Sequence, residues 1–550
     1  MSRTSHTATR WAATTAAAAL VCSGVAFAAP AFAGDGSAVV TSLDDTLDPG
    51  TLRSVLEDVE NAGGVSTVRF AVTGTIQLLS PLPVVTTQGI TIEGPGTNAL
   101  TIQAPPSDEA VPAFTYRPES TGTARISGLT LAGGASVIGD FTAADADGTN
   151  GFQLSDVVID GTGDQRDQPG IVVFGNSAHP DVLIADSTIK NHATTEEGVL
   201  NSAALLSQAG RVLITDSTFD NNRGGTFAGG IVLGYNGPTE ITGSTFSANT
   251  AELIGGALFA FGAAPVSITQ STFSGNSSGD TGGAIVSFGA EATSVSHSTI
   301  TGNVSDGVEG SAVFAVASPL LVDSSIISVN SGQSTSVPDL SVSLPNQPSL
   351  RSEASALESA LSEALAEPDV FGAPSNARIA PLAAADEAAA DEDAAADEAD
   401  PSDILGNLGF SLIGQPKASL DAASWSIQDS TLFEQDAELG ALADNGGRTL
   451  THLPSATSPA RNAGNLATLA GIERDQRNAP RVVGDLVDIG SVEVQAVAPA
   501  QPPVVPGTAA AATLPETGAG VEAPLLAIAG LLLAGAALLG LRRRRLGTAA

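Results

Sequence analysis

The sequence predicts an all-β chain built around a single-stranded, right-handed parallel β-helix with coils of about 27 residues. A Ser-Thr-Phe/Ile motif recurs between residues 211 and 332 with a strict 27-residue period. Its aromatic or aliphatic positions are Phe219, Phe246, Phe273, Ile300 and Ile327. Three strands of about five residues and three short turns need roughly 20 to 30 residues, so this period fits one coil of a solenoid.

Asparagine keeps the same period, three residues after each aromatic or aliphatic position. The column comprises Asn222, Asn249, Asn276, Asn303 and Asn330. Equal positions of successive coils stack about 4.8 Å apart. We therefore expect an internal stack of phenylalanines and an amide ladder of asparagines. Glycine pairs such as Gly255-Gly256 and Gly282-Gly283 separate the copies and predict corners where a Cβ atom would clash.

The repeated motifs resemble those of polymorphic outer-membrane proteins. The matching copies are Phe219-x-x-Asn222, Phe246-x-x-Asn249, Phe273-x-x-Asn276, Gly256-Ala257-Leu258 and Gly283-Ala284-Ile285. Those proteins are β-helical surface adhesins. The resemblance covers about a quarter of the chain, and it implies the fold more than the role.

The predicted β-helix domain, residues 34–335, begins with a helical cap. Residues Leu52, Val55, Leu56 and Val59 follow the spacing of an amphipathic α-helix, and Gly63-Gly64 ends it. A short helix over the open end of a solenoid protects edge backbone from pairing with another chain. Alternating strands follow, and the stretch resembles the CSLREAI region of bacterial surface β-helices without its cysteine.

Residues 336–403 interrupt the repeat. A Pro/Ser-rich stretch leads into Ala-Leu-Glu sequence and then into residues 383–400, which contain only Ala, Asp and Glu. Such a segment offers little apolar surface to bury and repels itself electrostatically. It is predicted to be a disordered acidic insertion with transient helix.

A β pattern returns over residues 404–493. Its motifs resemble those of the choice-of-anchor Q domain, which occurs beside β-helices in proteins with various surface anchors. They are Asp444-Asn-Gly-Gly-Arg-Thr449, Ser458-Pro-Ala-Arg-Asn-Ala-Gly464, Asp475-Gln-Arg477 and Asp488-Ile-Gly490. The residues themselves predict closing coils, in which Asp475, Arg477, Arg481 and Asp488 pair and lock the last turns.

The N-terminal 33 residues have the pattern of a signal peptide. A weakly basic start precedes an apolar run, and Ala31 and Ala33 form a small-x-small site ahead of Gly34. Signal peptidase is therefore a predicted partner. Cys22, the only cysteine of the sequence, lies in this segment. The predicted mature chain consequently has no disulfide and no thiolate metal site.

Residues 514–550 combine a pentapeptide, an apolar run and a basic tail. The run from Ala523 to Leu541 is long enough to span a bilayer as a transmembrane helix. Positive charges behind it would stay on the cytoplasmic side. These are Arg542, Arg543, Arg544 and Arg545. The pentapeptide in front is Leu514-Pro515-Glu516-Thr517-Gly518, in which proline favours extended backbone.

This combination resembles the LPXTG sorting signal of Gram-positive surface proteins. The resemblance implies that a sortase cleaves between Thr517 and Gly518 and joins the threonine to the peptidoglycan cross-bridge. It implies a cell-wall location, with the precursor transiently in the cytoplasmic membrane. Residues 494–513, rich in Pro, Ala and Val, would then be a linker through the wall. The alternative is a tail-anchor helix behind a chance pentapeptide.

Charge limits the partners of the chain. The precursor has a net charge of −37, with 22 basic and 59 acidic residues. Removal of both predicted targeting segments takes away six arginines and one glutamate, which leaves a net charge of −42. Such a surface repels nucleic acid and anionic lipid, so no nucleic-acid partner is predicted.

Two columns beside the phenylalanine column are acidic in successive coils. The first contains Asp156, Asp186 and Asp216, and the second contains Asp160, Lys190 and Asp220. Aspartate before Ser-Thr is a common turn residue, and this is the interpretation we favour. The alternative is an acidic patch that binds calcium or catalyses, as in the pectin-lyase-like and polygalacturonase-like enzymes that the fold resembles. Their GHG and Arg-x-Lys signatures do not occur here.

Two further polar features are a short acidic loop and a single histidine. Asp145, Asp147 and Asn150 resemble half of a calcium loop, without the distal glutamate. We favour an ordinary loop there, with calcium binding as the alternative. No other cofactor is predicted. His297 stands alone in its column and is predicted to be an exposed strand residue.

The sequence favours a non-enzymatic, adhesin-like protein with no catalytic residues. Its expected ligands are glycans, glycoproteins or the surfaces of host or neighbouring cells. A wall-tethered polysaccharide lyase or glycoside hydrolase of pectin-lyase-like fold, and a passive stalk, stay as alternatives. Outside the signal peptide the chain has one tryptophan and two tyrosines, which are Trp425, Tyr116 and Tyr235. Few aromatic platforms for sugar faces argue against the enzyme.

Overall fold

A computed structural model describes the protein over most of its middle part. The described residues are 37–105, 112–119, 122–142, 150–163, 169–175, 180–194, 203–234, 237–262, 264–307, 310–332, 338–343 and 405–495. The predicted signal peptide, nearly all of the predicted acidic insertion, the linker and the sorting signal lie outside these ranges.

The described chain is a parallel β-solenoid of about ten turns, as predicted. The first strands are Ala38–Val40 (β1), Val65–Phe70 (β2), Gly74–Gln77 (β3), Val84–Val85 (β4), Gly89–Glu93 (β5), Leu100–Gln103 (β6), Pro112–Tyr116 (β7), Thr123–Ala132 (β8), Ser136–Asp140 (β9), Gly151–Asp160 (β10), Ile171–Phe174 (β11) and Asp181–Ala185 (β12). The central strands are Thr188–Lys190 (β13), Leu205–Gln208 (β14), Val212–Thr215 (β15), Thr218–Asp220 (β16), Ile231–Gly234 (β17), Thr239–Thr242 (β18), Thr245–Ser247 (β19), Thr250–Ala251 (β20), Leu258–Phe261 (β21), Val266–Thr269 (β22), Thr272–Ser274 (β23) and Ser277–Ser278 (β24). The last strands are Ile285–Phe288 (β25), Thr293–Ser296 (β26), Thr299–Thr301 (β27), Val304–Ser305 (β28), Val313–Val316 (β29), Leu320–Asp323 (β30), Ile326–Ser328 (β31), Leu340–Ser343 (β32), Gly406–Gly409 (β33), Leu412–Ile413 (β34), Trp425–Ile427 (β35) and Leu432–Phe433 (β36).

Each central coil contributes one strand to each of three faces. Face 1 contains the first half of β10, followed by β12, β15, β18, β22, β26, β30, β33 and β35. Face 2 contains β13, β16, β19, β23, β27, β31, β34 and β36. Face 3 is the ten-stranded sheet from β4 to β32. The strands pair in parallel and in register, so that Phe246 lies between Phe219 and Phe273.

The N-terminal cap is the predicted amphipathic helix, α1, which spans Leu52–Ala62. It begins at Thr51, whose side chain accepts a hydrogen bond from the Ser54 N–H, and ends at Gly63 in left-handed conformation. Its four predicted apolar residues are buried. Arg53 pairs with the buried Asp45 at 2.8 Å, which ties the helix to the preceding loop.

The core is built from vertical columns, as the repeat predicts. The ring centroids of Phe219 and Phe246 lie 4.8 Å apart, and those of Phe246 and Phe273 lie 4.6 Å apart, with nearly parallel planes. The asparagine side chains form an amide ladder. Each Nδ2 group donates to the Oδ1 atom of the next coil at 2.8 to 3.0 Å, from Asn222 to Asn330. Buried amides are thereby satisfied inside an apolar core.

A second ladder consists of buried serines and crosses the predicted insertion. From Ser187 to Ser325, the backbone N–H of each serine donates to the Oγ atom of the next coil's serine at 3.1 to 3.2 Å. The Ser325 N–H donates in the same way to Ser411 Oγ at 3.2 Å, across 86 residues. The coil register is therefore kept on both sides of residues 344–404. The first described part of the predicted insertion, residues 338–343, contains β32.

The glycine corners are as close as predicted. A Cβ atom on Gly283 would lie 2.5 Å from the Ser311 carbonyl oxygen. No helix within the described residues is long and apolar enough to cross a membrane. The predicted membrane segment, residues 523–541, lies outside them.

The ladder predicts where the solenoid is sensitive to substitution. Asn276→Ala would leave neighbouring groups of the ladder and the Phe246 carbonyl oxygen without their buried partner. We expect a loss of about 2 kcal/mol or more in the free energy of unfolding, measured by urea denaturation. Asn330→Ala at the half-buried end of the ladder is the matched control and should cost less. Equal losses for the two variants would contradict the ladder as a stabilising element.

Candidate functional site

The C-terminal part of the described chain turns back along the solenoid. After β36 the chain leaves the last coil, and residues 437–495, here called the return segment, run over face 2. Throughout this range the segment forms only isolated bridges and one 3-10 helix, Leu466–Thr468. Its contacts begin at Asp186 and continue to Ile326 and Leu412. The Ser324 carbonyl oxygen accepts from the Gly490 N–H at 2.8 Å.

Hydroxyl groups at equal positions of face 2 bind the return segment. Thr272 Oγ1 donates to Gln476 Oε1 at 2.7 Å, and Thr299 Oγ1 accepts from the Ser491 N–H at 3.1 Å. The equivalent positions along the face are Thr188, Thr218, Thr245, Thr272, Thr299 and Ile326. The first two are half-buried and the other four are buried, so the segment covers face 2 only from β19 onward.

The first acidic column occupies the turns between face 1 and face 2. Every residue of this turn column has left-handed backbone, with φ between 47° and 63°. The residues are Asp156, Asp186, Asp216, Gly243, Gln270, His297 and Ser324. Aspartate and glycine tolerate this conformation better than most residues. The left-handed backbone thus gives a structural reason for aspartate or glycine at four of these seven turns.

An arginine of the return segment reaches this column. Arg448 Nη1 lies 2.5 Å from Asp186 Oδ1. Burial, and next the neighbouring Asp186, raise the pKa of Asp216, an effect that Arg448 opposes. The guanidinium group therefore offsets repulsion between carboxylates on adjacent coils. Asp156 lies one coil beyond this pair.

The second acidic column is partnered within the protein. Lys190 Nζ lies 3.2 Å from Asp160 Oδ2. Burial would raise the pKa of Asp160, but hydrogen bonds, including one from Asn191, and the charge of Lys190 lower it to about 2. Asp220 Oδ1 accepts from Ser247 Oγ at 2.5 Å. The structure thus places the six predicted patch residues in two separate columns.

The calcium half-loop is only partly within the described chain. Asn150 is buried directly before β10, and its Oδ1 atom accepts from the Gly122 N–H at 2.8 Å. Asp145 and Asp147 lie outside the described residues. Among the described residues, no three His, Cys, Asp or Glu side chains are grouped to hold a metal ion. Calcium binding stays a prediction.

A buried charge cluster holds the end of the return segment. Arg477 Nη2 lies 2.7 Å from Asp475 Oδ2, so this predicted pair forms. Arg481 has no solvent exposure, and its Nη2 group donates to the carbonyl oxygens of Asp488 and Gly490 at 3.0 and 2.7 Å. The predicted lock therefore differs in detail, because Arg481 binds main-chain oxygen atoms rather than a carboxylate. Burial lowers the pKa of Arg481, and nearby carboxylates oppose that shift.

His297 is buried, and the prediction of an exposed strand residue was wrong. Arg481 Nη2 donates to His297 Nδ1 at 2.9 Å, so the ring proton lies on Nε2, 3.1 Å from Thr468 Oγ1. Burial, and then Arg481, lower the pKa of His297 to about 3, which keeps the ring neutral near pH 7. Thr468, the partner of His297 in the return segment, lies 171 residues later in the chain. No periodic pattern in the sequence identifies it as that partner.

A cleft of about 860 Å³ lies between face 1 and the return segment. One wall is formed by β18, β22 and adjoining residues, and the other by residues 470–474. Its lining is Pro238, Thr239, Glu240, Thr242, Pro265, Ser267, Thr269, Gln270, Ala470, Gly471, Ile472, Glu473 and Arg474. The Gln270 side chain donates to the Arg474 carbonyl oxygen and joins the two walls. Glu240 pairs with Arg211 at 2.7 Å.

The cleft was missed by sequence reasoning. Its two walls are separated by about 200 residues, and the residues of the second wall belong to no repeat. Serine and threonine are frequent throughout the solenoid, so those of the cleft do not stand out. Only the return of a β pattern after residue 404 signalled that this region packs with the coils.

Two family models match the chain. A right handed beta helix region matches residues 143–318, and an LPXTG cell wall anchor motif matches residues 508–545. The chain is a cell-wall-anchored surface protein. The motif implies sortase processing and attachment to peptidoglycan. A comparison with curated proteins found no match.

The buried end of this surface protein predicts a pH-dependent stability. Burial chiefly raises the pKa of Glu493 from 4.5 to about 7. The folded state then binds the proton more tightly than the unfolded state. The resulting stabilisation is full below about pH 4.5 and is lost as the pH rises through 7.

Glu493→Gln keeps this side chain neutral at every pH. Relative to the native protein, the variant should therefore gain on the order of 2 kcal/mol of stability between pH 5 and pH 8, after a reduction for screening by solvent. Denaturation of both proteins at the two pH values measures the difference, and other titrating groups cancel. Glu434→Gln, at an exposed carboxylate, is the control. A difference between native and variant that stays constant with pH would contradict the assignment.

Proposed function

We propose that this surface protein is an adhesin-like binding protein whose ligand site is the cleft between face 1 and the return segment. The cleft is the observation that supports the proposal most directly. Its volume lies within the range of about 300–1,000 Å³ that is typical of small-molecule sites. It opens on face 1, beside the rows of outward side chains of the solenoid. Sortase attachment would hold this surface outside the cell.

The lining favours a polyhydroxylated ligand such as a glycan. Hydroxyl groups of Thr242, Ser267 and Thr269 can donate to and accept from sugar hydroxyls, and Glu240 and Glu473 can accept from them. Pro265 and other apolar residues offer contact to the less polar faces of a sugar. The lining contains no aromatic residue, so we expect weak binding at each site.

The predicted domain boundaries and the two predicted processing sites of the precursor belong to the same proposal. Signal peptidase would cleave after Ala33, and sortase would cleave after Thr517. The linker from residue 494 would carry the folded part through the wall. Asp186 and Asp216 serve the solenoid as partnered turn residues in this proposal, and calcium is not required.

Anchoring depends on the threonine of the pentapeptide. Thr517→Ala keeps the main-chain carbonyl but removes the threonine side chain of the motif, so sortase should not cleave there and the protein should be missing from the detergent-resistant wall fraction. Immunoblotting of wall, membrane and medium fractions measures this. Glu516→Ala at the variable position of the motif is the control and should stay in the wall. Wall attachment of Thr517→Ala would contradict the proposed cleavage site.

Binding is tested with residues 34–495 on an array of plant, microbial and host glycans, with and without calcium. Ser267→Trp should place an indole ring in the cleft and reduce binding about tenfold, since the ring would occupy part of the ligand's contact surface. Gln153→Trp lies in the same face-1 column, four coils away, and should bind like the native protein.

The other functions predict different outcomes in that experiment. Equal binding by Ser267→Trp and the native protein would exclude the cleft. Release of reducing or unsaturated ends that Asp186→Ala abolishes would show a tethered enzyme instead. No binding to any glycan or glycoprotein would favour a passive stalk.

A further inference from the structure

The last described residues lie beside the central coils of the solenoid, near Thr272 and Thr299, and not at its last coil. The last strand is β36, yet the chain leads to the predicted wall linker only after the return segment, at Val494 and Gln495. There the backbone is held by buried carboxylates. The Val494 N–H donates to Asp488 Oδ2 at 2.7 Å, and the Glu493 N–H donates to Asp475 Oδ2 at 2.9 Å.

These carboxylates are themselves fixed within the return segment. Asp475 pairs with Arg477, and Arg477 Nη2 also donates to the Glu493 carbonyl oxygen at 2.7 Å. Asp488 Oδ1 accepts from the Asn462 N–H at 2.7 Å. The last described residues are therefore hydrogen-bonded to positions that lie 6, 16 and 18 residues earlier.

The same cluster is joined to the central coils. Arg481 Nη2 reaches His297 in the turn column at 2.9 Å. Ser491 Oγ lies 3.1 Å from Thr272 Oγ1 and 3.2 Å from Thr299 Oγ1. These bonds join the cluster to two adjacent coils, so they would share any tension that arrives at Val494.

The last coil alone would resist tension poorly. β36 is two residues long and joins the preceding coil through the Leu432 and Glu434 N–H groups. In a solenoid each coil contacts chiefly its neighbours, so a chain pulled from the terminal coil can detach one coil after another. Bonds loaded one at a time break at lower force than bonds that share a load.

We propose that the return segment has a mechanical function: it transfers tension from the cell-wall anchor to the central coils and prevents stepwise peeling of the solenoid. The proposal rests on wall anchoring and is independent of what the cleft binds. Arg481, His297, Thr272, Thr299 and Ser491 are the residues that carry the load across the interface.

Single-molecule pulling of the mature chain tests the proposal. One handle is a thiol introduced by Ser294→Cys on face 1, and the other is coupled to Thr517. The native protein should release the return segment in one cooperative step. Roughly 60 residues then become free, which adds about 200 Å of contour length, and coils follow in steps of about 90 Å.

Paired variants identify the residues that carry the load. Thr272→Val/Thr299→Val removes the hydroxyl partners of Ser491 with little change in shape and should shorten the lifetime under constant force roughly tenfold. Thr188→Val/Thr218→Val, at the same face-2 position outside the return segment, should leave the lifetime unchanged. Arg481→Met should shorten it on the order of a hundredfold, since three buried acceptors lose their donor.

Two results would overturn the proposal. One is gradual release of the return segment at low force without a cooperative step. The other is an equal lifetime for the two threonine double variants. If Arg481→Met does not fold, the threonine pairs still decide the question, because each replaces a hydroxyl with a methyl group of similar size.

Discussion

Vertical stacking of equal positions governs this structure. Parallel coils repeat at the spacing of neighbouring strands, so each side chain meets the same type of side chain above and below. Apolar rings tolerate this arrangement by stacking, whereas a buried amide tolerates it only when each group donates to one neighbour and accepts from the other. The Asn222–Asn330 ladder meets that condition at every described rung. The buried serines do the same for backbone N–H groups at the opposite end of each face-2 strand.

This constraint explains which features could be predicted from the sequence. A residue that must match its counterpart 27 positions away leaves a period in the chain, and from it the phenylalanine stack, the asparagine ladder and the glycine corners were predicted correctly. The cap helix was equally accessible, because its apolar spacing and its Thr51 and Gly63 boundaries are local signals. The residue with left-handed backbone that follows a face-2 strand, such as Asn221 after β16, directly precedes the ladder asparagine and is not part of the ladder.

Contacts that do not recur every 27 residues could not be predicted from the sequence. The return segment meets the coils through single pairs such as Thr272 with Gln476, 204 residues apart. Nothing local distinguishes these residues from exposed ones, and His297 was accordingly misplaced on the surface. The charged motifs near residues 475–488 did indicate a lock, because acidic and basic residues of opposite charge occur close together there. Its geometry, in which Arg481 binds carbonyl oxygens, depends on the path of the backbone and could not be derived from composition.

The unbroken serine ladder across residues 344–404 has a further consequence. Because the coils on both sides of this interruption stay in register, the solenoid tolerates a long inserted segment between β32 and β33. The entropy cost of a loop grows only slowly with its length, so the two strands accommodate large inserts at nearly constant stability. A compact folded module whose termini lie close together could replace the native stretch there. Different inserts would then change the surface that the cell displays at this one turn of the solenoid, while the columns of its core stay unchanged.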